Sequence, residues 1–200
     1  MSKAQVRHRT ASHQVSAALL NAAEAVLDRD GIDGVTVRAV AQEAAVSPMS
    51  VYNRFDSKEG LIASLAMRTV EQLAKAIDVP GHAEPVERFR QACRNYREFA
   101  VGHPARYSLI FGAGSPLEDR SSEVARSGEE VFAILVELID AMKKKTSERD
   151  SAEDAQIVWS ALHGTVTIEQ TGRGRTPDAS DTFEHMLDLF TNSLARHRRV

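Results

Sequence analysis

A chain of 200 residues suits one or two compact units. A hydrophobic share of 42% excludes a disordered chain, and a formal net charge of −3 argues against a blanket nucleic-acid binder. That charge leaves room for a protein that touches phosphates with one small face. No apolar run reaches the roughly 18–20 residues of a membrane span. Met1–His13 is polar and lacks the apolar middle of a secretory signal, so cytoplasmic residence without a membrane partner is expected. The lone Cys93 sits in a helical pattern and reads as a small core residue.

In chain order, Val15, Leu19, Ala22, Val26 and Leu27 recur at spacings that predict a helix over residues 12–29, ended by Asp30-Gly31. Thr36 is the expected N-cap of a short helix from Val37 to about Ala44. After a tight break at Ala45-Val46-Ser47, Pro48 opens a third short helix reaching Asn53. Ser57 caps a fourth helix, whose first turn Gly60 is expected to weaken slightly, and Leu61, Leu65, Val70, Leu73 and Ile77 give it an apolar stripe. Pro80, Gly81 and Pro85 mark a linker.

Val86, Phe89, Cys93, Tyr96 and Ala100 then predict a helix interrupted by Gly102 and Pro104, followed by a short apolar segment, Tyr107 to Phe111. A helix carrying Val124, Val131, Leu135, Leu138 and Met142 ends in the basic run Lys143–Lys145, which reads as a solvated terminus. Ser151 with Asp154 resembles a capping box for a helix through Trp159 and Leu162. Phe183, Leu187, Phe190 and Leu194 form the last stripe, on a helix from about Asp178 to Arg196. No segment alternates enough to demand a strand. The expected class is all-α, about nine helices, with a three-helix head and a larger helical body.

Two short helices about Ala45-Val46-Ser47 have the size of a helix-turn-helix, with the first helix as third wall for Val37, Val40, Ala41, Val46, Val51 and Phe55. The third helix then presents Ser47, Met49, Ser50 and Asn53: Asn pairs with adenine, and Met or Pro meets a thymine methyl. Thr36, Tyr52 and Lys58 are suited to phosphates. The same pattern also suits a tight helical corner in a core.

The stretch TVRAVAQEAAVSPMSVYNRFDSKEGL, Thr36 to Leu61, resembles the helix-turn-helix signature of TetR-family regulators. The matching positions are Thr36, Val40-Ala41, Ala44, Val46-Ser47, Tyr52, Phe55, Lys58 and Leu61, with Gly31 after the first helix. The departure is Ala45, where the family most often has Gly; Ala is the mildest replacement outside the left-handed region. The resemblance implies a dimer on near-palindromic operator DNA, usually a repressor, with residues 1–58 as arm and DNA-binding domain and 59–200 as ligand-binding and dimerisation domain. It implies base contacts from Ser47, Pro48, Met49, Ser50 and Asn53, and phosphate contacts from Thr36, Tyr52 and Lys58. Lys3, Arg7 and Arg9 form a basic arm that either touches DNA or is a solubilising tail.

YREFAVGHPARYSLIF and WSALHGT, residues 96–111 and 159–165, resemble the C-terminal subtype named for Trp-His-Gly, here Trp159, His163 and Gly164. A pocket for an unknown small-molecule effector is implied near Tyr96, Tyr107, Phe111, Trp159 and His163, although Trp159 and His163 also suit plain core packing. Gly164, unfavourable inside a helix, is expected at a close helix crossing, within the body or between subunits. The two last stripes imply a four-helix homodimer interface carrying Leu162, Val166, Phe183, Leu187, Phe190 and Leu194, the alternative being internal core.

A helical enzyme is the contrasting class, through His13, His103, His163 or His185. No HExxH, paired CxxC, phosphate loop or nucleophile elbow accompanies them, so no catalytic residue, metal or cofactor is expected. A helical dimer that binds a small molecule or a protein without reading an operator is the other alternative.

Overall fold

The computed structural model describes residues 3–81, 84–143 and 150–196, with side chains from 15 to 194 within those ranges. Among the described residues it contains nine α-helices, one 3-10 turn and no strand: α1 Lys3–Gly34, α2 Val37–Glu43, α3 Pro48–Phe55, α4 Lys58–Ile77, α5 Pro85–Gly102, α6 Pro104–Phe111, α7 Glu123–Met142, α8 Ser151–Gln170 and α9 Ala179–Arg196. The all-helical expectation holds. The helix of α1 continues through residue 34, but Gly31 at φ 72° breaks its regular path where Asp30-Gly31 was expected to end it.

Two compact units form. The first unites the chain up to Val70 with His103–Ala125. In it α1 packs on α2 and α6, and α2 packs on α3. Leu19, Val26, Leu27, Val35, Val40, Ala41, Val51, Leu61 and Leu65 are buried there, as are Tyr107 and Ile110. Two expected core positions depart from this pattern: Val15 is 48% and Val46 38% exposed.

An ion cluster joins three helices of this unit. Arg106 of α6 donates to Asp28 of α1 from Nε at 3.0 Å and from Nη2 at 2.6 Å, and its Nη1 lies 3.5 Å from the buried Glu24 carboxylate. Arg68 of α4 pairs with the same Glu24 at 3.2 Å and donates to Asn21 at 2.6 Å. Removing one cation from a buried carboxylate leaves a poorly compensated charge, although Arg68 remains. Arg106→Ala is therefore expected to lower unfolding free energy by about 2 kcal/mol, and Arg106→Lys by about half of that because the forked contact to Asp28 is lost. Urea denaturation measures both, and a loss below about 0.5 kcal/mol for the alanine would mean the cluster is a solvated ornament.

The second unit holds Glu71–Gly102 with the chain from Arg126 onward. Here α5 packs on α8 and α9, and α8 packs on α9, around Phe89, Cys93, Val158, Val166, Phe183 and Leu187. Arg90, Arg94 and Arg97 follow one face of α5. Arg90 reaches Glu184 at 2.8 Å and Asp188 at 2.6 Å, Arg94 reaches Glu184 at 2.8 Å, and Arg97 reaches Glu169 at 2.6 Å while lying over the Phe183 ring. The Arg94 guanidinium beside it holds the Glu184 carboxyl below the usual carboxylate range. Burial pushes the Cys93 thiol up, so it is a neutral core group.

Two terminal expectations are corrected here. Asp150, not Ser151, caps α8 by accepting from the Ala152 N–H at 2.9 Å, while the Ser151 hydroxyl donates to Asp140 of α7. Asp154 is freed from any capping role and forms a buried ion pair with Lys143. Lys143 is thus an interior partner rather than a solvated end; Lys144 and Lys145 lie outside the described residues.

Candidate nucleic-acid interface

The interface is built by three local devices. Thr36 caps α2, its Oγ1 accepting from the Ala39 N–H at 3.1 Å, which leaves the hydroxyl proton to donate outward. Pro48 occupies the first turn of α3, where its missing N–H is harmless. Ser57 caps α4, accepting from the Gly60 N–H at 3.0 Å.

Between α2 and α3 the chain reverses through a Schellman turn. The Val46 N–H donates to the Ala41 carbonyl at 2.9 Å and the Ala45 N–H to the Gln42 carbonyl at 3.1 Å. The pivot residue of this motif is left-handed, and Ala45 has φ 53°. This corrects the expectation drawn from sequence: the position where Ala replaces the usual Gly lies inside the left-handed region. The same motif closes α8, where Arg173 donates to Ile168 and Gly172 to Glu169, and there the pivot is Gly172 at φ 63°. Left-handed geometry costs a residue with a Cβ about 1–2 kcal/mol, against which Gly loses more chain entropy on folding. Ala45→Gly should therefore raise stability by about 0.5–1 kcal/mol and Gly172→Ala lower it by a similar amount. Thermal unfolding reads both; a destabilised Ala45→Gly protein would contradict the strain assigned to this turn.

The third helix turns Val51 and Phe55 inward. Outside, Ser47, Pro48 and Asn53 are exposed, Met49 is 62% and Tyr52 47% exposed, and Ser50 is half-buried. The Ser47 and Ser50 hydroxyls share a hydrogen bond at 3.1 Å. Thr36 and Lys58 are exposed, as is Arg38 on α2, which sequence reading passed over. The signal that pointed to it is helical: Val37, Val40 and Ala41 set the buried face of α2, and Arg38 falls off that face. Five candidate base readers and three candidate phosphate contacts thus fall on one unit. Lys3, Arg7 and Arg9 lie outside the residues whose side chains are described.

The remaining candidates are dispersed. Tyr107 is buried and its ring packs 4.9 Å from that of Phe111 in the first unit. In the second unit Tyr96 is buried, while Trp159 and His163 are half-buried, the indole standing edge-on to Phe132 at 6.3 Å and tilted against His163 at 6.1 Å. Burial holds His163 below its ordinary pKa, favouring the neutral ring. An open recess of about 460 Å³ in the second unit is lined by Arg94, Arg97, Val101, Ser180, Phe183 and Glu184, and none of the expected pocket aromatics borders it. Among the described residues there is no group of three or more His, Cys, Asp or Glu that could hold a metal ion, and no helix is long and apolar enough to cross a membrane.

Of the expected interface residues, Leu162, Val166, Phe183 and Leu187 are buried within the protomer, so they have no area left to give a partner. Phe190 and Leu194 are half-buried. A second stripe was overlooked. On α8, Ile157 is 59% and Ile168 50% exposed, and Gly164 falls between them on the same face. A Cβ built on Gly164 meets nothing within 4 Å, so no helix crossing inside the protomer explains this glycine. On α9, Leu189 is 60% exposed, opposite the buried Leu187.

The comparisons with known proteins cover both units. A model described as bacterial regulatory proteins, tetR family, matches residues 19–65, and one described as tetracyclin repressor-like, C-terminal domain, matches residues 89–190. An uncharacterized HTH-type transcriptional regulator of Mycobacterium tuberculosis is 27% identical over 80% of this chain and 72% of its own. A structure of a protein of unknown function from Rhodococcus sp. RHA1 has a TM-score of 0.77 at 24% identity, covering 90% of this chain and 95% of that one. BioQ solved with its natural double-stranded DNA operator has a TM-score of 0.64 at 23% identity, covering 90% and 96%. These two likenesses are likenesses of fold.

Proposed function

We propose, from the premise that the chain belongs to the TetR family of bacterial regulators, that it represses transcription as a homodimer bound to an inverted-repeat operator and released by a small-molecule effector. The observation that carries the reading is the exposed face of α3, flanked by Thr36, Tyr52 and Lys58 and held between the capped starts of α2 and α4. In this reading Ser47, Pro48, Met49, Ser50 and Asn53 face base edges and the three flanking groups hold phosphates, which fix register without reading sequence. That BioQ, a protein of the same fold, has been solved on its double-stranded operator supports the assignment.

Two-fold pairing through α8 and α9 supplies the second half of the reader, and the exposed Ile157, Ile168 and Leu189 support that surface. Tyr96, Trp159 and His163 remain the effector candidates of the second unit, with Tyr107 and Phe111 those of the first. Selection from random duplexes tests the function. The expected product is an inverted repeat with half-site centres about 34 Å, or one helical turn, apart. Binding should weaken steeply with salt, as counterions are released from each contacted phosphate. Recovery of a single unpaired half-site, or of no sequence at all, would overturn the proposal.

A further inference from the structure

The centre of the outward face of α3 carries no charge. Successive residues of a helix are rotated by about 100°, so residues four apart nearly superimpose. Val51 and Phe55, four apart, define the buried side. Met49 and Asn53, also four apart, fall almost opposite them, and both are exposed. Arg54, the only cationic residue of α3, is carried about 100° to the side of that centre. Tyr52 and Pro48 flank it on the other side, and Val46 adds exposed apolar surface before the helix begins.

Chemistry then limits what this face can read. Guanine is recognised in the major groove chiefly by the paired donors of Arg or Lys on O6 and N7. A thioether has no donor, and a carboxamide aimed at both atoms donates to one while setting its own oxygen against the other acceptor. The carboxamide matches adenine, accepting from N6–H and donating to N7, and the thioether with its methyl matches the thymine C5-methyl. The Ser47 and Ser50 hydroxyls share one hydrogen bond, which leaves a single proton between them for a base and no paired donors of the guanine-reading kind.

We infer that this protein reads an A·T-centred half-site, Met49 packing on a thymine methyl and Asn53 gripping an adenine. This rests on the operator-binding reading above. The two side chains start about 5–6 Å apart along the helix, so the two bases lie within about two base-pair steps of each other.

The test uses the full-length dimer and the duplex recovered by selection. The expected centre of each half-site is A·T. Replacing its thymines one at a time by deoxyuridine removes only the methyl group. One position per half-site should weaken binding about three- to five-fold, the worth of one buried methyl group. Met49→Ala should lose that sensitivity while binding the deoxyuridine duplex as well as the wild type does. Replacing one adenine by 7-deazaadenine should cost the wild type about ten-fold and Asn53→Ala nearly nothing. An inverted repeat with a G·C centre, or one indifferent to every deoxyuridine, would overturn this inference and leave operator binding standing. Failure to select any duplex would remove both.

Discussion

Gly60→Ala is expected to lower unfolding free energy by about 2–3 kcal/mol and to weaken operator binding with it. A Cβ on Gly60 would clash with the Phe55 carbonyl oxygen and lie 3.3 Å from its carbon, and both are backbone atoms that no side-chain rotation can move. Phe55 is itself anchored, its ring buried in the first unit and its helix closed by the Asp56 N–H donating to Tyr52 at 2.9 Å. The corner between α3 and α4 is tight: Asp56 has φ 61°, and the Ser57 N–H meets the Phe55 carbonyl at 2.6 Å. Relief would have to come from shifting α3 against the start of α4, which moves Asn53 and Lys58 relative to each other. Gly174→Ala is the control, because a Cβ there meets nothing within 4 Å. Urea denaturation and operator titration of both variants decide the matter. A Gly60→Ala protein as stable as the control would show that the corner yields without effort.

The helix starts of the first unit were legible because they are local, whereas at α8 the cap proved to be Asp150, one residue before the expected Ser151. Thr36, Pro48 and Ser57 each need only their own next few residues, and each occupies the expected role. Gly60 and Ala45 were misread because their roles depend on the path of the chain in space. Gly60 reads as a flaw in a helix until the Phe55 carbonyl is placed against it, and Ala45 reads as benign until its φ is known. The Lys143–Asp154 pair was lost for a similar reason: a basic residue closing one helix and an acid opening the next look like two solvated ends. Stripes carry a different ambiguity. Leu162, Val166, Phe183 and Leu187 show that one face is apolar without saying what covers it, and here the protomer covers it itself. The arginines of α5 recur at positions 90, 94 and 97, a spacing that announced a charged face; only the fold supplied Glu169, Glu184 and Asp188 as its partners.

Ile168→Glu is expected to convert the dimer to monomers and to reduce operator affinity at least about 100-fold, with helix content unchanged. Three features of α8 support this. Ile157 and Ile168 are large, apolar and at least half exposed, and they share a face with Gly164. A half-buried mid-helix glycine forgoes up to about 1 kcal/mol relative to alanine, yet among the described residues nothing beyond its own helix backbone approaches within 4 Å of where its side chain would be. A partner helix crossing there gives the glycine its reason, since close backbone approach needs the missing Cβ. Two-fold symmetry places each substituted carboxylate in the contact twice, and burying an unpaired carboxylate costs several kcal/mol. Each 1.4 kcal/mol is a factor of ten in the dimerisation constant, so two such penalties exceed what a dimer at micromolar concentration can absorb. Gly164→Ala gives an independent sign. It should stabilise an isolated protomer through helix propensity, but weaken a dimer whose α8 helices cross at that point. Val86→Glu, on an exposed apolar position of α5, is the control and should leave association unchanged. Sedimentation velocity across a dilution series reads all three. If Ile168→Glu stays dimeric while Gly164→Ala gains stability at every concentration, this face of α8 belongs to solvent and the subunits meet elsewhere.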